Sequence, residues 1–153
     1  MRTRLARAGL ALCAAVLLGG PLSAETREYA VGQVWAFETA PQDKGALIQI
    51  REIGEIGPPE APVTVYHISM IGVAIPGEAE PLEIAHLPVS RQTLDSSVTV
   101  QVATAPAFPA HAEGKAEWEA AEGGVFTIPL RQIADILREQ VARMRSTAGE
   151  SRH

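Results

Sequence analysis

The stretch VTVYHISMI, residues 63 to 71, is apolar or small on both faces of an extended chain. Its branched and aromatic side chains favour a pleated strand. A strand covered on both sides belongs inside a sheet, so this segment predicts a central strand. His67 stands on one face of it with Val63, Val65, Ser69 and Ile71.

The flanks supply partners. Val31 to Thr39 and Ala46 to Ile53 read as two strands joined by the turn cluster PQDKG at 41 to 45. Three prolines between Gly57 and Pro62 make a loop. Beyond a turn at 76 to 81, Leu82 to Leu87 reads as a fourth strand ended by Pro88, with His86 on the face of Leu82 and Ile84. Ser90 is placed to cap a short helix from Arg91 to about Ser97, with Val89 and Leu94 at staple positions. Val98 to Val102 reads as a further strand. Ala112 to Ala121 predicts a second short helix stopped by Gly123 and Gly124, and Val125 to Thr127 a short strand. Leu130, Ile133, Ile136, Leu137, Val141 and Met144 recur at helical spacing, which makes an amphipathic C-terminal helix.

Strands early and helices late imply an α+β fold: an antiparallel sheet of about four to six strands, with helices on one face. A small half-open β-barrel with helices is the alternative. Residues 25–145 form one expected domain, and 146–153 a polar, disordered tail.

The first 24 residues read differently. Arg2, Arg4 and Arg7 precede an apolar run from Ala8 to Leu18, a Gly-Gly-Pro break, and Leu22-Ser23-Ala24. That is the pattern of a secretory signal peptide cleaved after Ala24, and the run is too short to span a bilayer. The expected location is the periplasm or the exterior. Cys13, the one cysteine, lies inside the run, so the expected mature chain has no disulfide and no thiolate chemistry. Thirteen Lys and Arg less these three leave ten against eighteen acidic residues, a formal charge of −8. No basic run or aromatic–basic pattern points to nucleic acid.

The residues that could carry chemistry are few. His67 and His86 come up on partly apolar strand faces. If their strands pair antiparallel, opposed Cβ atoms lie about 5 Å apart, near enough for two imidazoles to share a proton or a metal. Zinc needs further ligands, and neither H-E-x-x-H nor a cysteine pair is present. His111 begins an H-x-E, and Trp118 sits between Glu117 and Glu119, where its ring is only partly covered. These four, His67, His86, His111 and Trp118, are the candidate binding residues. The sequence assigns no catalytic residue, no metal and no cofactor. Ser90 is a cap and not a nucleophile, and Gly123-Gly124 lacks the context of a phosphate loop.

VGQVWAF (31–37), YHISMIG (66–72), IAHLPVS (84–90), EGKAEWEAA (113–121) and GGVFTIPLRQI (123–133) together resemble a family of small bacterial proteins of unestablished function. The resemblance spans most of the chain after residue 30 and implies a single domain, but brings no activity. Its members ordinarily lack a leader and have a longer spacer after the tryptophan. Two functional expectations stand side by side: an exported binding or interaction protein with a protein partner in the cell envelope, and a histidine-dependent enzyme or metal protein using His67 and His86.

Overall fold

The computed structural model describes residues 26–150. The leader reading, with Cys13, and residues 151–153 of the tail lie outside the described residues. Five strands, β1 (Val34–Phe37), β2 (Leu47–Ile56), β3 (Val63–Val73), β4 (Leu82–Val89) and β5 (Val98–Val102), make one antiparallel sheet in the order β4-β3-β2-β1-β5. β3 lies inside the sheet, as its two apolar faces require. β4 and β5 are the edges and do not meet, so the sheet is open and not a barrel. Three helices complete an α+β fold: α1 (Arg91–Ser97), α2 (Ala112–Ala120) and α3 (Leu130–Glu150).

One face carries the main core. Trp35 and Phe37 of β1, Ile48 and Ile50 of β2, Tyr66, Ile68 and Met70 of β3, and Leu87 and Val89 of β4 pack under Leu94 of α1 and Leu130, Ile133 and Ala134 of α3. Ser90 caps α1 by accepting from Thr93 N–H at 3.1 Å. α1 in turn caps α3, for Ser97 Oγ accepts from the buried Leu130 N–H at 2.9 Å. A buried ion pair fixes the far end of the sheet. Asp43 is 1 % exposed; it accepts from Ala74 N–H and pairs with Arg138 of α3, whose Nε donates to Ala74 O.

Four expectations need correction. The helices do not share one face: α2 lies against the opposite side of β3 and β4, over His67 and His86. Pro88 does not end β4, which runs on to Val89. β4 is an edge strand, and Pro88 O and Ser90 N–H both turn outward to Phe126, so the missing proline N–H costs no ladder bond. The expected strand at 125–127 is a single parallel bridge between Val89 and Phe126. Finally, α3 continues to Glu150, so residues 146–150 of the expected tail are helical. The hydroxyls of Ser146 and Thr147 bond back to Ala142 O and Met144 O. No helix among the described residues is long and apolar enough to cross a membrane.

Candidate functional site

Paired residues of neighbouring strands stand on the same face of a sheet. Ile68 pairs with Leu87 and Met70 with Ile84, all on the core face. Two residues of β3 therefore span three of β4, an irregularity that inserts one residue. Strict alternation would put His86 on the face of Ile84. The extra residue turns it to the other side, toward His67. β2 is irregular as well: Ile50 pairs with Ile68, but Glu52 pairs with His67. Arg51 and Glu52 thus both reach the His67 face, where Arg51 Nη1 donates to Ser69 Oγ and to Pro109 O, at 3.2 and 2.9 Å. The second bond ties down the segment leading into α2.

His67 and His86 meet. His67 Nδ1 and His86 Nε2 are 2.9 Å apart, with the ring planes at 21°. One nitrogen donates and the other accepts, so a neutral pair satisfies the bond in either of two tautomeric arrangements. Trp118 of α2 closes over both rings, with its centroid 5.1 Å from His67 in an edge-on contact and 5.9 Å from His86. The indole is fixed by Nε1, which donates to Gly124 O at 2.9 Å. α2 comes this close because residue 114 is glycine: a Cβ there would stand 2.9 Å from His86 Cβ.

His111, just before α2, completes the group. Its Nε2 lies 3.4 Å from Glu52 Oε2, and Lys115 Nζ lies 3.6 Å from the same oxygen. Lys115 also bonds Glu119 one turn on. Glu52 Oε2 is buried yet makes no hydrogen bond. All four residues singled out from the sequence therefore gather at α2. The sequence reading missed Arg51, Glu52 and Lys115. A signal for Lys115 existed, since His111, Gly114, Lys115 and Trp118 recur at the three-to-four-residue spacing of one helix face. None existed for Glu52, whose side depends on the bulge.

The electrostatics keep the pair uncharged. Burial, then the neighbouring imidazole of His67, push His86 down to about 4. His67 is lowered too, first by burial and then by Lys115, against the opposing pull of Glu52 and Glu119. The bond to Lys115 holds the Glu119 carboxyl below its ordinary range. Among the described residues no three His, Cys, Asp or Glu side chains group as a metal site. The two imidazoles spend their facing nitrogens on each other.

The remaining nitrogen of His67, Nε2, lies beside Gly54. A Cβ on Gly54 would stand 3.8 Å from His67 Nε2, and no hydrogen bond forms at that atom among the described residues. In front of it opens a cleft of about 250 Å³ lined by Glu52, Gly54, Glu55, His67, Lys115 and Trp118. A second hollow, of about 290 Å³, lies beside Trp118 and shares Ile56, Trp118 and Glu119 with the first. No protein-family model, curated protein sequence or solved structure matches this chain.

Proposed function

We propose that this chain is an exported binding protein of the cell envelope that holds a small ligand in the cleft between α2 and the β2–β3 hairpin. One observation carries the reading: His67, only 3 % exposed, turns an unbonded ring nitrogen into a cleft walled by a half-buried tryptophan. Small-molecule sites combine an apolar wall with a few placed polar groups in this way. The leader-like pattern of residues 1–24 supports export.

Binding is favoured over histidine catalysis by the basicity of the pair. A general base works best with a pKa near the working pH, whereas His86 is held at about 4 and His67 is lowered as well. The Nδ1–Nε2 bond instead orients His67 and presents its Nε2 as a fixed hydrogen-bonding group.

A ligand-detected NMR screen of a chemically mixed fragment set tests the reading, with the imidazole signals of His67 and the indole signal of Trp118 as site reporters. Compounds that move both signals are expected, and Gly54→Val, which fills the cleft from a strand position, abolishes their effect. A set in which no compound moves either signal overturns it. Mass analysis of the chain recovered from the envelope fraction is expected to show cleavage after Ala24.

A further inference from the structure

We propose that the ligand of this cleft is a small organic ammonium ion with an apolar body. The proposal rests on the binding reading above and deepens it, and four features of the cleft converge on it.

The first is the balance of charge. Glu52, Glu55 and Glu119 line the cleft and Glu122 stands at the adjoining hollow, against the single ammonium of Lys115. Lys115 is engaged by Glu119, while Glu55 and Glu122 form no ion pair among the described residues. The second is the Glu52 carboxylate at the cleft wall, whose side chain is 45 % exposed and whose Oε2 lies between His111 and Lys115. Its Oε1 has no partner among the described residues and can accept a ligand N–H.

The third is Trp118. Its indole is half-buried and borders both hollows, so a cation and its apolar body find a π surface there. The fourth is His67. Of the two tautomeric arrangements, the one in which Nδ1–H is donated to His86 Nε2 makes Nε2 a bare acceptor at the cleft wall, and an ammonium N–H selects it. A neutral imidazole pair offers no charge to a carboxylate or phosphate, and the surrounding glutamates repel one.

The test uses the purified protein and three compounds of one shape: phenethylammonium, 2-phenylethanol and 3-phenylpropionate. Titration calorimetry and Trp118 fluorescence follow binding, with Trp118→Phe identifying the signal of that residue. Phenethylammonium is expected to bind at least about tenfold tighter than either analogue. Its affinity should fall with added salt, fall again in Glu52→Gln/Glu119→Gln, and vanish in Gly54→Val. Equal or tighter binding of the alcohol or the carboxylate, still abolished by Gly54→Val, overturns the ammonium assignment and leaves the binding reading standing. Cation binding unchanged in Gly54→Val also overturns it, since the site is then elsewhere. Failure of all three to bind at millimolar concentration overturns the assignment and counts against the cleft as a binding site.

Discussion

Acid should loosen this fold before its carboxylates titrate, and His86→Leu should remove much of the effect. In the folded chain the His67–His86 pair resists protonation, with His86 at about 4. In the unfolded chain each imidazole takes a proton near 6.5. Between these values the unfolded state binds more protons, so stability rises with pH. The contribution is fully present above about 6.5 and is lost as pH falls toward 4. The displacement of His86 from 6.5 to about 4 corresponds to about 3 kcal/mol without solvent screening. His86 is only partly buried, and solvent screening reduces this to about 1–2 kcal/mol, of which roughly half falls between pH 6.5 and 5. His67 adds in the same direction. The other titratable groups facing the pair are His111, Lys115, Glu52 and Glu119. The last two oppose the shift of His67. Guanidinium unfolding at several pH values from 5 to 7 measures the slope. The wild-type chain should lose about 1 kcal/mol between pH 6.5 and 5, equivalent to about 3–6 °C in melting temperature. His86→Leu should show a slope less than half as steep, whatever its stability at pH 7. Superimposable slopes for the two chains would refute the buried neutral pair.

Two further outcomes follow from the packing. Asp43→Ala leaves the Arg138 guanidinium and Ala74 N–H without their buried partner, and should cost about 3–5 kcal/mol in denaturant unfolding; Asp43→Asn, which keeps an acceptor, should cost less. Gly123→Ala places a methyl in collision with Trp118 Cδ1 and Nε1, so the indole must shift from its seat over the histidine pair. A red shift of Trp118 emission and weakened phenethylammonium binding are expected, with little change in overall stability, because no residue of α2 is fully buried.

The parts of the fold legible in the sequence are those fixed by period alone. Apolar residues on both faces of 63–71 placed β3 inside the sheet, and helical spacing gave α3 its buried face at Leu130, Ile133 and Leu137, whereas Ile136 and Met144 of the same series are exposed. Where period gave way to pairing, the sequence was silent. Pro88 reads as a stop until β4 is known to be an edge. The polar end of α3 reads as a tail because it has no apolar stripe to bury, yet the helix runs on to Glu150, with the Ser146 and Thr147 hydroxyls turned back onto its own carbonyls.

The site shows the same division more sharply. His67, His86, His111 and Trp118 were each visible as odd residues in their local pattern, but nothing in the pattern said that they meet. Two irregularities bring them together: one inserted residue in β4 turns His86 away from Ile84, and one in β2 brings Glu52 beside His67. A single extra residue reverses the face of a side chain, because the strand period is two. Both irregularities flank His67 and both deliver a polar group to it. A sheet built only for its core would gain nothing from turning His86 and Glu52 onto the face that α2 covers, since each costs a local break in the ladder. The bulges are therefore the feature that ties the fold to the cleft.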